Sequence, residues 1–125
     1  MKKLLSLTFL LYLAITSVSY AQASFSFEQT SHDFGVIKPG NDTIWYDFAF
    51  VNKGTDPLEI ASVKTSCDCT LAQWPKTAIQ PGKKAVIRGG FKIEGKSGPF
   101  DKSIIIIANT SPATTFLTLT GDIKE

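Results

Sequence analysis

The sequence is short of the side chains that most small-molecule chemistry needs. It holds one histidine (His32), one methionine (Met1) and two cysteines, Cys67 and Cys69, separated by one residue. No serine, cysteine or carboxylate recurs around His32 at a spacing that would assemble nucleophile, base and orienting group, so no catalytic residue is assigned and His32 reads as a hydrogen-bonded strand-edge residue. Asp33, Asp47, Asp56, Asp68 and Glu94 are scattered over turns and outer faces and read as solvated. Basic blocks are also missing. Outside the first residues the densest pair is Lys83-Lys84, just after the Pro81-Gly82 turn. Nucleic acids and anionic membranes need clustered Lys and Arg to displace counterions, so neither is an expected partner. Apolar residues at helical spacing are absent over any three turns, and the antibody pattern of two distant cysteines bridging two sheets is absent too.

What is present begins with Met1-Lys2-Lys3, an apolar run from Leu4 to Ile15 and a small-residue close at Ser19-Tyr20-Ala21. This is the layout of a secretory signal peptide cleaved after Ala21. The run carries Ser6 and Thr8 and falls short of the ~20 residues that cross a bilayer, so no membrane insertion is expected after cleavage. No cysteine follows to accept a lipid. The expected boundaries are a leader at residues 1–21 and one domain at residues 22–125, and the expected location is periplasmic or secreted. Of 125 residues, removing 21 leaves 104, and removing Lys2 and Lys3 leaves 11 basic residues against 11 acidic ones. A neutral chain of that length suits a single core.

The rest alternates apolar and polar residues between Gly, Pro, Asn and Asp turns, which is an all-β pattern. Phe25 and Phe27 suit a first strand, and a second runs near Phe34 to Ile37. From Thr43 to Val51, Ile44, Tyr46, Phe48 and Phe50 fall on one face, expected to be the core, with Trp45, Asp47, Ala49 and Val51 on the other. Further strands are read at Leu58 to Val63, at Ala85 to Phe91 with a bulge or close approach at Gly89-Gly90, at Ile104 to Ile107, and at Phe116 to Thr120, closed by Gly121. Ile104 to Ile107 has no polar face, so its outer side is expected to be covered or to meet a partner. Seven or eight short antiparallel strands in about a hundred residues have the count and spacing of an immunoglobulin-like β-sandwich.

The order of His32-Asp33-Phe34-Gly35, Phe48-x-Phe50-x-Asn52-x-Gly54, Pro57-Leu58-x-Ile60, Ser66-Cys67-Asp68-Cys69-Thr70, Pro81-Gly82, Gly98-Pro99-Phe100 and Leu117-x-Leu119-x-Gly121 resembles the bacterial exported domain-of-unknown-function family 1573. The resemblance spans about His32 to Gly121. It implies a fold akin to major-sperm-protein and PapD-like immunoglobulin domains and brings no catalytic residues. Asp68 stands where that family usually has glycine.

Cys67-Asp68-Cys69 is the one chemically distinctive feature. Export favours oxidation, but an ideal strand holds the two Cβ atoms farther apart than the roughly 3.5–4.5 Å of a disulfide, so a bridge needs a turn or bulge at Asp68. A short-range disulfide and a pair of inert thiols are both open. A redox-active pair lacks the Cys-x-x-Cys at a helix start that depresses a thiol pKa. As a metal site, Cys67 and Cys69 offer two soft ligands for an ion such as copper(I), with Asp68 as an oxygen donor, and fall short of four-coordinate zinc. No cofactor is expected. Trp45, on an outer face, and Trp74, ahead of Pro75 in a loop, are the candidate partner contacts, since exposed tryptophan concentrates at binding hot spots. Asn41-Asp42-Thr43 and Asn109-Thr110-Ser111 fit the N-glycosylation pattern, and Asp42-Thr43-Ile44 a short O-glycosylation acceptor. Two functional classes follow. One is a non-catalytic binding or assembly module with an unidentified protein partner, and the other a small metal-binding or thiol-redox protein centred on the cysteine pair.

Overall fold

The longest unbroken alternation in the chain becomes the spine of one sheet. The computed structural model describes residues 22–125, so the expected leader at residues 1–21 lies outside the described residues. The strands are β1 (Phe25–Phe27), β2 (Ser31–Ile37), β3 (Thr43–Asn52), β4 (Ile60–Thr65), β5 (Thr70–Gln73), β6 (Lys84–Lys92), β7 (Gly98–Ala108) and β8 (Thr114–Ile123). They form two four-stranded sheets, ordered β1-β3-β6-β5 and β2-β8-β7-β4. This is the all-β immunoglobulin-like sandwich, and among the described residues there is no helix.

Facing follows side-chain parity. In β3, Phe48 and Phe50 are buried while Asp47 is exposed. Opposite them, Ile104, Ile106, Leu117 and Leu119 project from β7 and β8 into the same core. Phe25 and Phe27 lie against Phe50, with ring centroids 5.0 and 5.3 Å away, and so bring the short β1 onto the core. Burying a phenylalanine side chain is worth about 1.5–3 kcal/mol, so these inward rows carry most of the sandwich's stability in place of an inter-sheet disulfide.

Among the described strands all pairings but one are antiparallel, and a single parallel bridge joins Ala23 to Thr110. β2 runs parallel to β8, because the chain leaves β1 at Glu28 and crosses to the other sheet before resuming the same direction. The Asp33 carboxylate accepts the Gly35 N–H at 2.8 Å, and Gly35 has φ +72°, a left-handed value that a Cβ disfavours. Together they make the irregularity between Asp33 and Val36 in the β2 ladder.

One expectation is corrected, one open alternative is decided, and one strand is new. β5 is not legible in the sequence, because Thr70–Gln73 is four residues with no long alternation and is followed by Trp74-Pro75. Gly121 does not end β8, which continues to Ile123. The absent side chain there makes room for Phe100, since a Cβ would fall 2.6 Å from its ring. Gly89-Gly90 forms no bulge: β3 and β6 stay in register from Thr43↔Lys92 to Val51↔Lys84. Close approach is the reason for both glycines. A Cβ on Gly89 would meet Ile104 at 2.7 Å inside the core, and one on Gly90 would meet the Trp45 ring at 2.6 Å outside it.

Candidate functional site

The chain passes from β4 to β5, and so from one sheet to the other, through Ser66-Cys67-Asp68-Cys69. The Thr70 N–H donates to the Cys67 carbonyl at 3.1 Å, which closes a four-residue turn with Asp68 exposed at its tip. That turn supplies the departure from extended geometry that a bridge requires, and Cys67 and Cys69 are joined as a disulfide with Cα atoms 5.3 Å apart. Among the described residues no non-glycine residue has positive φ, so the turn at Asp68 does not require glycine. The turn is pinned on both sides. The Ser66 N–H donates to the Ser103 carbonyl at 3.1 Å, and the Lys92 N–H to the Cys69 carbonyl at 2.8 Å. Thr70 is buried, and its Oγ1 lies 3.4 Å from Cys67 Sγ. In the bonded form neither sulfur is a thiolate, and among the described residues no group of three or more His, Cys, Asp or Glu stands where it could hold a metal.

Asn52 organises a second constellation that its place in Phe48-x-Phe50-x-Asn52-x-Gly54 explains. Parity puts it on the inner face at the end of β3, where its side chain is fully buried. Its Nδ2 donates to the carbonyls of Asp56 at 2.8 Å and Ile79 at 2.9 Å. Its Oδ1 accepts from the Gly54 N–H at 2.9 Å and the Ser24 N–H at 3.2 Å. A buried amide with both ends used stabilises a turn that would otherwise bury unpaired backbone groups. Gly54 is required because the backbone of residues 22–24 lies directly on it. Asn109 does the same job more exposed, accepting from the Glu59 N–H at 2.8 Å and donating to the Pro57 carbonyl at 3.0 Å. Both ends of that amide are therefore engaged at one of the two glycosylation patterns.

His32 points inward from β2 and stacks on Tyr46, ring centroids 3.7 Å apart, with Phe34 edge-on at 4.7 Å. His32 does lie on an edge strand, as expected, and its imidazole has a packing role there, filling the flank between the two sheets. Trp45 lies flat over Gly90, with the Arg88 guanidinium 4.6 Å from its ring centroid. Arg88 also pairs with Asp47 at 3.5 Å, both side chains largely exposed. Trp74 packs against the core, and Lys76 Nζ sits 3.0 Å from its ring centroid. The two tryptophans are on different elements and form no common patch. Ile105 and Ile107 are half-buried on the outer face of their sheet, with Phe116 directly across from Ile105 and exposed.

Sequence reasoning missed the edge of β3. β1 pairs with β3 only at Phe50, Val51 and Asn52, and one further bond runs from the Glu28 N–H to the Ala49 carbonyl at 3.2 Å. Asn52 exchanges backbone bonds with Lys83 and Gly82 on the β6 side. Parity then turns the N–H and C=O of Thr43, Trp45 and Asp47 away from β6, where no described strand pairs with them. The other edges carry blunting devices: irregularities in β2 and β4, and the short length and following proline of β5. The stretch from Thr43 to Phe48 has no bulge, glycine or proline. The signal was the mismatch between the three-residue β1 motif and its ten-residue neighbour.

Residues 25–123 match the family described as Protein of unknown function (DUF1573), and the chain belongs to that family. No curated protein matches it. Among solved structures, it is similar to a protein of unknown function from Porphyromonas gingivalis W83, at 22% identity and TM-score 0.71, covering 87% of this chain and 51% of that one. It is also similar to part of a family 123 glycoside hydrolase from Clostridium perfringens, at 11% identity and TM-score 0.64, covering 82% of this chain and 27% of that one. The E. coli chaperone DraB matches at 8% identity and TM-score 0.52, covering 82% of this chain and 55% of that one. The chain thus spans about half or less of the proteins it resembles, and at these identities the likeness is one of fold.

Proposed function

We propose that this chain is an exported, non-catalytic binding or assembly module that takes an extended segment of another protein along the open edge of β3. The carrying observation is the unpaired run of backbone donors and acceptors at Thr43, Trp45 and Asp47, next to three edges that are interrupted or short. Strand addition uses main-chain hydrogen bonds for affinity and alternate side chains for specificity. Trp45 and the Arg88–Asp47 pair stand on the outer face beside that edge, where an added strand's outward residues would meet them. Occurrence of a similar fold as one part of a larger glycoside hydrolase fits a module that works by joining something else.

The test is a tagged mature chain incubated with its native envelope fraction. Asp47→Pro deletes an outward N–H without touching the inward bonds of Tyr46 and Phe48 to β6, whereas Asp47→Ala keeps the N–H. The proposal expects a stoichiometric partner on wild type and Asp47→Ala that is lost from folded Asp47→Pro. Equal retention by all three would contradict it.

A further inference from the structure

We infer that the Cys67–Cys69 bridge is an exchangeable disulfide, a two-electron site that oxidises protein thiols and, once reduced, carries its negative charge on Cys67 beside Thr70. The inference is independent of the open β3 edge. The bridge joins residues two apart in sequence and ties no distant segments together, so it removes little unfolded-chain entropy. Both cysteines are half-exposed between the exposed Ser66 and Asp68, so an incoming thiolate can reach the sulfurs. The turn also stands without the bridge. Besides the backbone bonds from Thr70, Ser66 and Lys92, the Thr65 hydroxyl donates to the Cys67 carbonyl at 3.2 Å and the Ser103 N–H to Ser66 Oγ at 3.1 Å. These bonds keep the two cysteines together after reduction, and reoxidation stays an intramolecular step.

Thr70 points to a thiolate. It is 3% exposed, and among the described residues Cys67 Sγ, 3.4 Å from its Oγ1, is the only hydrogen-bond partner of its side chain. Neither bonded sulfur carries a hydrogen, so the hydroxyl is the donor. A neutral sulfur accepts weakly and a thiolate strongly, so a buried hydroxyl aimed at Cys67 favours the reduced pair. Cys69 packs against the core, where burial disfavours charge, and is therefore the member that stays a thiol.

In the exchange a donor thiolate attacks Cys69 Sγ. A bond forms between the donor sulfur and Cys69, the Cys67–Cys69 bond breaks, and its electron pair leaves on Cys67 against the Thr70 hydroxyl. A second donor thiolate then attacks the donor sulfur of this mixed disulfide, which makes the donor disulfide and releases Cys69. The donor thiols lose two electrons and the cysteine pair gains them. Of the two donor thiol protons, one ends on Cys69 and the other in solvent.

The experiment equilibrates the purified protein with glutathione buffers of graded thiol-to-disulfide ratio and counts alkylated cysteines by mass at each ratio. Wild type should titrate between disulfide and dithiol within the glutathione range and stay folded in both forms. A pair that remains oxidised throughout, as structural disulfides do, overturns the inference, and so does a reduced protein that has unfolded. Thr70→Val keeps the branched shape without the hydroxyl and should shift the titration about tenfold toward the disulfide, the weight of one charge-assisted hydrogen bond. Thr70→Ser should stay with wild type, and Thr70→Ala deletes the hydroxyl a second way should valine disturb the fold. The ultraviolet thiolate band of the reduced protein reads the charge itself: at neutral pH it should be strong in wild type and Thr70→Ser and weak in Thr70→Val. Equal titrations and equal bands in all of them would overturn the placing of the charge on Cys67 by Thr70.

Discussion

Asn52 and Ile79, 27 residues apart in the chain, are joined by a 2.9 Å hydrogen bond from the Asn52 amide to the Ile79 carbonyl. It ties the end of β3 to the backbone bridge between Leu58 and Ile79. Asn52→Leu keeps the volume but leaves two N–H groups and two carbonyls without this partner. Unsatisfied buried groups cost about 1–3 kcal/mol each, so the substitution should destabilise by at least ~3 kcal/mol. Equilibrium denaturation measures this. A loss below that of the more exposed Asn109→Ala would show that the buried network does not organise the turn.

The facing of β3 is tested by neighbours. Phe48 is fully buried, so Phe48→Ala should cost about 3–5 kcal/mol. Asp47→Ala removes only an exposed ion pair and should cost far less. Equal effects in denaturant titration would reverse the assigned faces.

Trp45 and Gly90 form a contact that a single methyl should disturb. Gly90→Ala places a Cβ 2.6 Å from the ring, which must tilt off the sheet. Overpacking of this kind costs about 1–3 kcal/mol, and the tryptophan emission should shift. In Trp45→Ala the same glycine substitution should cost much less, and a double-mutant cycle without coupling would show that Gly90 serves some other need.

Serine at both Cys67 and Cys69 should leave a folded domain with a modest drop in melting temperature. The bridge closes a much shorter loop than the fifteen residues worth ~3 kcal/mol, and the turn keeps its backbone bonds to Ser103 and Lys92. Chelator should not alter the melting of wild type. A chelator-sensitive melt would favour a metal centre, because binding energy there is folding energy.

The parts of the fold legible in the sequence were those where one residue dictates one face. The Ile44 to Phe50 alternation, the Pro81-Gly82 reversal, with Gly82 at φ +78°, and the Leu117-x-Leu119 row belong to this class. β5 was hidden because its place is set by pairing with β6, from Thr70↔Phe91 to Gln73↔Arg88, and not by a pattern of its own. The parallel β2–β8 pairing was hidden for a related reason, since direction depends on where the chain changes sheets. In the candidate site the sequence offered Trp45, Trp74 and the cysteine pair singly. The open edge of β3 is a relation between lengths of neighbouring strands and became visible only when the register was known.

The most direct test of the binding proposal is residue-resolved amide hydrogen exchange across β3, on free monomer and on the complex with the captured envelope partner. In the free chain, Thr43, Trp45 and Asp47 should exchange rapidly while Ile44, Tyr46 and Phe48 are protected by β6. In the complex the odd-numbered amides should become protected as well. Uniform protection in the free monomer, or a complex in which Trp45 and Asp47 still exchange freely, would contradict the account.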